Sequence, residues 1–536
     1  MEPVTHHQTN YNPYNPNKPA CSAPPQQLTS APIKNKRNYS VVESVFAWLC
    51  LIFGYIFCRV FPLSESPFGG FIFTLLLYLS GFTVLKFMKT RVSLMPALIS
   101  LSAIILSFSL ILTSNDFLHF FSYSYSLAVF GYLLYSGCGN RVKSGFTDLL
   151  IADFFKALII MPFCSFGCMF KAMFEGKKKG NNKILLKILL GIGIAVVPTL
   201  IIFGLLSYDS DFTTLLNNIF DFDFDKFWSH LGSLILGVPL GLYLYGLFIS
   251  SVDNKCKSIL SEENSAKALN KMRIAPVATI LAATIPILFL YVVFFISQWK
   301  YYISGFTGVL PEKSSYAAYA REGFFQLCTV AVINLIIITA VILFLKRSRK
   351  IGRLFLKSIV LTFSVATLIL ISTAVAKMIM YINVYGLTPK RVYSTWFMLL
   401  IALVFILISL KMFIKKLKVV ALTFVITVSM FALIAIPNVD AFIAKYNVNR
   451  YISGSIETVD LDSMVDLGTS AIPSLITLKE HLDDKTQSNY EAELNHDLSR
   501  YFVKVSSDIR RSDRSVFSYT VTDIIARDML KEIGYF

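Results

Sequence analysis

Residues 394–436 read STWFMLLIALVFILISLKMFIKKLKVVALTFVITVSMFALIAI. Two apolar runs, near 394–413 and 419–436, meet at a short segment carrying Lys411, Lys415, Lys416 and Lys418. Each run approaches the ~20 residues that a helix needs to cross a bilayer. A soluble helical hairpin would show a polar face along each helix. This stretch shows none, so it reads as two membrane helices joined by a basic turn.

The same pattern extends back along the chain. Further apolar runs lie near 43–61, 68–87, 94–113, 117–138, 184–207, 231–250, 274–297, 324–345 and 356–383, which predicts about eleven spans. Prolines inside them, such as Pro198, Pro239 and Pro286, are tolerated in membrane helices because neighbouring helices can satisfy the freed carbonyls. The chain of 536 residues is 55% hydrophobic and only 15% charged, against ~25% charged for soluble domains. Mean hydropathy is +0.61. The 46 Phe and 26 Tyr fit lipid-facing side chains and aromatic belts. The expected fold is all-α: a polytopic transmembrane helix bundle with a small C-terminal helical domain.

The net charge of +17 does not point to nucleic acid, because the basic residues cluster in alternate gaps between the apolar runs. With the N-terminus inside, 30 of the loop and tail cations fall on the inner side. The short outer loops hold six: Lys226, Lys300, Lys313, Arg321, Lys390 and Arg391. This alternation places the C-terminus outside. Residues 146–170 are apolar but carry Asp148, Asp153 and Lys156 on one helical arc. They are expected to form an amphipathic helix on the inner interface. If they spanned, every later loop would change sides.

Three domains follow. Residues 1–40, rich in Pro, Asn, Gln and Ser, form a cytoplasmic tail with too little apolar surface to fold, and no cleavable leader is visible. Residues 41–436 form the bundle. Residues 437–536, with 11 basic and 16 acidic residues, form an extracytoplasmic helical domain. Its helices are expected near 460–482, 489–511 and 516–534, where Leu475, Leu478 and Leu482, then Ile524, Ile525 and Met529, recur at helical spacing.

Signatures of catalysis are missing: no P-loop, GxGxxG, GxSxG or HExxH occurs. Of six His residues, His119 alone falls in an expected span. Cys164 and Cys168 lie four apart without acidic or His company and read as packing residues. Asp221, Asp223 and Asp225 alternate with Phe220, Phe222 and Phe224, but Lys226 and Gly232 occupy the Gly and Glu positions an EF-hand requires. No cofactor and no metal is expected. Polar residues inside spans are the candidates that remain, because leaving them unpartnered in lipid is costly. Tyr319, Glu322, Gln326 and Asn334 share an arc at the start of the eighth helix. Thr373, Lys377, Tyr381 and Tyr385 recur every four residues in the ninth. Facing each other, with Arg321 alongside, these stripes would line a polar cavity in which Lys377 opposes Glu322. The bland alternative has Lys377 snorkelling to the interface and Glu322 pairing with Arg321 or capping its helix.

Three stretches carry a family likeness. They are Tyr316–Leu335 (YAAYAREGFFQLCTVAVINL); Tyr385-Gly386-Leu387-Thr388 followed by Arg391, Tyr393, Trp396, Phe397 and Met398; and Asn438–Tyr451 (NVDAFIAKYNVNRY), with Asp440, Tyr446, Asn447 and Arg450 in matching places. Together they resemble the signatures of a bacterial membrane family catalogued as domain of unknown function 4173, over roughly residues 150–480. The resemblance implies a multi-pass protein of the bacterial plasma membrane and supplies no activity. Asn438, Asp440, Tyr446, Asn447 and Arg450 would then form an outer motif that either serves function directly or holds the outer domain on the bundle.

Two functions fit the sequence. One is a non-enzymatic, transporter-like or regulatory scaffold whose partners are the lipid bilayer and another membrane or cell-envelope protein, with no nucleic acid. The other is a membrane enzyme acting on a lipid-linked substrate at the outer face, with Glu322 as acid or base and Arg321 and Lys377 on phosphate.

Overall fold

The computed structural model describes residues 38–60, 67–90, 92–143, 145–175, 202, 206, 224–254, 262–297, 324–346, 349–484, 488–511 and 519–536. Residues 39–536 belong to one compact unit, whose described part is helical with no strand. The helices are α1 (Val41–Val60), α2 (Pro67–Phe87), α3 (Leu94–Ser107, continued by Ser109–Leu112), α4 (Asp116–Gly137), α5 (Leu150–Phe155), α6 (Met161–Cys164), α7 (Cys168–Glu175), α8 (Phe224–Val252), α9 (Glu262–Met272) and α10 (Val277–Ser297). They continue as α11 (Phe324–Phe344), α12 (Arg349–Tyr385), α13 (Pro389–Lys411), α14 (Val419–Ala435), α15 (Val439–Ile452), α16 (Leu461–Val465), α17 (Ile472–Asp483), α18 (Asn489–Arg511) and α19 (Val521–Glu532).

Among the described residues nine helices are long and apolar enough to cross a membrane, and α14 with α15, bent by 56°, makes a tenth if counted as one crossing. They correspond to ten of the eleven runs read from the sequence. The other run, 184–207, falls outside the described residues apart from positions 202 and 206, as does the Phe/Asp stretch up to residue 223. The protein is an all-α polytopic membrane bundle.

Two apolar cores build the bundle. The first joins α1–α4, the α5–α7 segment and α8. Here α1 and α8 cross backbone to backbone: a Cβ on Gly54 would collide with the Gly237 carbonyl, and one on Gly241 would lie 2.9 Å from the Cys50 carbonyl. Small residues allow such an approach between membrane helices. At the start of α1, Ser40 and Glu43 form a capping box, with Ser40 N donating to Glu43 Oε2 (2.7 Å) and Glu43 N to Ser40 Oγ (3.2 Å). The second core joins α10–α13.

The α5–α7 segment differs from a helix lying polar side to water. It is three short helices, with a π-helical turn at Lys156–Ile160 between the first two. Its polar arc faces the protein. Asp153 accepts from Val142 N (2.8 Å) and Tyr135 OH (3.1 Å), and the buried Lys156 ammonium lies 6.0 Å from the centre of the Tyr135 ring. Ile151, Phe155, Ile159 and Phe163, four residues apart, are exposed. An apolar exposed stripe over a polar inner one is what a lipid-contacting segment requires, because hydrocarbon offers no partner to a charge.

Contacts between loops sort onto two faces of the bundle. On one, Asn140 Nδ2 donates to Ser251 O (2.7 Å), Lys346 N to Ala275 O (2.9 Å) and Val420 N to Asp148 Oδ1 (3.1 Å). On the other, Arg59 Nη1 donates to Ser229 Oγ (2.5 Å), and Asn115 Nδ2 reaches both Tyr393 OH (2.9 Å) and Asp440 Oδ2 (2.8 Å). The first face gathers loops from the basic set and the second gathers loops from the other set. They are called here the basic face and the clamp face.

The C-terminal helices are not a separate body. Their core runs from Ile434 and Val439 through Leu475, Leu478, Leu498 and Phe502 to Leu530, and it takes in Leu106, Leu118 and Leu387 from the bundle. The helix expected near 460–482 is divided into α16, a 3-10 turn (Gly468–Ala471) and α17. The helix expected near 516–534 begins at Val521, where Thr520 and Asp523 form a capping box. Helix α15 was not foreseen, because its buried face mixes Ile443, Ala444 and Val448 with Asp440 and Asn447 and so lacks an apolar stripe.

Candidate functional site: an interhelical clamp

Helix α12 ends at Tyr385, and Gly386 follows with φ +74°, the left-handed conformation of a helix C′ residue. Its N–H returns to the Ile382 carbonyl (2.9 Å). The neighbouring carbonyls lie at the end of a 37-residue helix and need donors. Two arginines from different helices supply them. Arg391 Nη1 donates to Tyr385 O (2.9 Å) and Gly386 O (2.5 Å). Arg450 Nη1 donates to Ile382 O (3.2 Å), and its Nη2 to Asn383 O (2.8 Å) and Ser455 O (3.3 Å). Both cations sit where the helix dipole favours positive charge. Arg391 lies 4.1 Å from the centre of the Tyr381 ring, and Arg450 lies 5.7 Å from that of Tyr446.

Asn447 locks the turn from α15. Its Oδ1 accepts from Leu387 N (2.7 Å) and its Nδ2 donates to Leu387 O (2.8 Å). A Cβ on residue 386 would lie 2.5 Å from Asn447 Oδ1, so only glycine fits there. The amide mimics a strand pairing with a single buried residue, which fixes α15 against the end of α12.

A second node joins three helices. Asn115, the N-cap of α4, accepts from Leu118 N (3.2 Å) through Oδ1. Its Nδ2 bridges Tyr393 on α13 and Asp440 in the first turn of α15. Asp440 is 3% exposed, and the Thr113 hydroxyl also faces its carboxyl. The Tyr393 ring stacks on Phe117 at 4.9 Å. Asn438 caps α15 by accepting from Ala441 N (3.0 Å), and its Nδ2 donates to Ser470 Oγ (3.2 Å). On α13, Trp396 Nε1 donates to Met430 O (2.7 Å), tying α13 to α14.

The outer-motif residues all lie on or cap α15 and divide their partners: Asn447 and Arg450 engage the end of α12, Asp440 meets Asn115 of α4, Asn438 meets Ser470, and Tyr446 packs beside Arg450. Sequence reasoning missed Asn115. Its position before Asp116 at a helix start was the available signal.

The residues proposed for a polar cavity are dispersed differently. Tyr319, Arg321 and Glu322 lie outside the described residues. Gln326 is exposed. Asn334 is fully buried and ties three helices, accepting from Tyr291 OH on α10 (2.5 Å) and donating to Thr367 Oγ1 on α12 (2.8 Å). Lys377 is 9% exposed, and Tyr381 packs between Tyr385 and Arg391. No group of three His, Cys, Asp or Glu among the described residues is arranged to hold a metal ion.

The family model described as "Domain of unknown function (DUF4153)" matches residues 100–478. That corrects the family number suggested by the three signatures, 4173, while keeping the chain in an uncharacterised family. The match opens within α3 and closes within α17, so it contains every clamp residue named above. No curated protein and no solved structure matches the chain.

Proposed function

The chain belongs to the DUF4153 family, and on that premise we propose that it is a non-enzymatic membrane scaffold that holds its C-terminal helices in a fixed pose on the bundle. One observation carries this reading. Arg391, Asn447 and Arg450, three of the polar residues of the two signatures at the clamp, all bond backbone carbonyls or amides at the α12 end. Groups engaged in this way position helices and do not turn over a substrate. The charge pattern supports a plasma-membrane orientation with the tail and basic face inside and α15–α19 outside. The signatures support a bacterial source, and the exposed α15–α19 surface suits a membrane or cell-envelope partner.

The rival enzyme reading has one specific foothold, the buried carboxyl of Asp440, whose Oδ1 meets no donor of ordinary hydrogen-bond geometry. Asp440→Asn separates the two readings, because it keeps size and hydrogen bonding while removing the acid. In a strain lacking the gene, the scaffold reading expects D440N to restore the wild-type growth or expression phenotype. It expects N447A and R450A to fail in proportion to their loss of thermal stability. A D440N protein that folds normally yet behaves as a null would overturn the scaffold.

A further inference from the structure

On the basic face, residues 412–418 join α13 to α14 in a tight turn. Lys411 is engaged inside it: Nζ donates to Lys415 O (3.3 Å) and to Leu417 O and lies 3.6 Å from Asp148 Oδ2. Asp148 also caps α14 by accepting from Val420 N (3.1 Å). The turn is thus held from within, and the carboxylate that reaches it is already occupied. Lys415, Lys416 and Lys418 are exposed, and none of the three enters an ion pair among the described residues.

The apolar neighbours make the turn unlike a water-facing loop. Phe413 is 62% exposed and Ile414 50% exposed, beside the Lys357 ammonium, which lies 4.0 Å from the centre of the Phe413 ring. Nearby in sequence to other cations of this face, Leu354 follows Arg353 and Ile274 follows Arg273, and both apolar side chains are exposed. Large apolar side chains belong at the acyl boundary, while lysines reach outward to the level of the phosphates.

We propose that the 412–418 turn is an anchor for anionic phospholipid, with Phe413 and Ile414 in the acyl region and Lys415, Lys416 and Lys418 on headgroup phosphate. Three cations within four residues, unpaired among the described residues, complement a surface of phosphodiester anions, and a lysine supplies the point charge that phosphate accepts. This goes beyond the scaffold reading and does not depend on the clamp. Each lysine near an anionic surface contributes about a fivefold gain in affinity, so three contribute about a hundredfold.

The test uses the full-length protein in zwitterionic detergent, titrated with phosphatidylglycerol, phosphatidylcholine or inorganic phosphate, with thermal unfolding as the readout. Phosphatidylglycerol is expected to raise the unfolding temperature of the wild type at concentrations about a hundredfold below those needed for K415Q/K416Q/K418Q. K415R/K416R/K418R is expected to keep the wild-type response, which separates charge loss from misfolding, and F413S to weaken it. If the Gln triple variant itself misfolds, K416Q alone should shift the titration about fivefold. The proposal is overturned if phosphatidylglycerol acts no better than phosphatidylcholine, if the Gln variants titrate as wild type, or if inorganic phosphate reproduces the effect.

Discussion

Gly386 and Asn447 should behave as one unit, and their coupling can be worked out from the clamp. Asn447→Ala leaves the buried N–H and C=O of Leu387 without partners. Each unmet group costs about 1–3 kcal/mol, so the variant should lose about 2–6 kcal/mol. Gly386→Ala forces an L-residue into a left-handed conformation at φ +74°, which costs about 1–2 kcal/mol. It also presses the new methyl to 2.5 Å from Asn447 Oδ1, so the amide must withdraw from Leu387 and part of the first loss is incurred again. In the double variant the obstructing amide is gone. Its loss should therefore fall short of the sum of the single losses by about 1–2 kcal/mol, within the range seen for residues in contact. Equilibrium unfolding in mixed micelles of mild and denaturing detergent gives the four free energies, with Trp396 as a probe beside the site. Strict additivity, or single variants indistinguishable from wild type, would mean that Gly386 and Asn447 are not coupled.

Other perturbations probe separate links. Asp440→Ala should cost about 1–3 kcal/mol by stranding the Asn115 amide, while Asp440→Asn should stay within about 1 kcal/mol of wild type in the same assay. Gly54→Leu should drive α1 from α8 and prevent accumulation of folded protein, seen as loss of a monodisperse peak in size-exclusion chromatography. Asn334→Leu should cost only about 1 kcal/mol despite losing two buried hydrogen bonds, because interhelical bonds in membranes average well below those in water. Burial holds the Asp153 carboxyl above its ordinary value of 3.8, outweighing the bonds from Val142 and Tyr135. The folded state therefore retains that proton to higher pH than the unfolded state. Stability contributed by the neutral form is present below pH 3.8 and is lost as pH rises through the folded value. Asp153→Asn should flatten the acid limb of the unfolding-temperature profile, and an unchanged limb would assign the dependence elsewhere.

The crossings were legible because lipid imposes a one-dimensional demand: some twenty apolar residues, bounded by charge. Run 419–436 tested that rule at its limit, since α14 has 17 residues and passes as a crossing only together with α15. Two of the three signatures pointed to α15 and the α12 turn, yet the way they bond was hidden. Asn115 and Asp440 are 325 positions apart, and nothing in either neighbourhood announces the other. The α5–α7 segment shows a different failure. An arc with Asp148, Asp153 and Lys156 marks an amphipathic helix, but periodicity does not say whether its polar side meets water or the protein. Tyr135 and Val142 on Asp153, and the α14 N-terminus on Asp148, decided that, and none of them is marked by the segment's own periodicity. Asn334 was legible as a buried polar residue, whereas its partners Tyr291 and Thr367 came from helices aligned only by folding.

A scaffold of this kind requires α15–α19 to be held rigidly against the clamp end of the bundle. The most direct test is a pair of spin labels at exposed positions on either side of the clamp, Val384 at the end of α12 and Thr458 after α15, in otherwise wild-type protein reconstituted in lipid bilayers. The account predicts a single narrow distance distribution, broadened when Asn447→Ala and Arg450→Ala are introduced together. A broad distribution in the wild type, or one that the two substitutions leave unchanged, would contradict it.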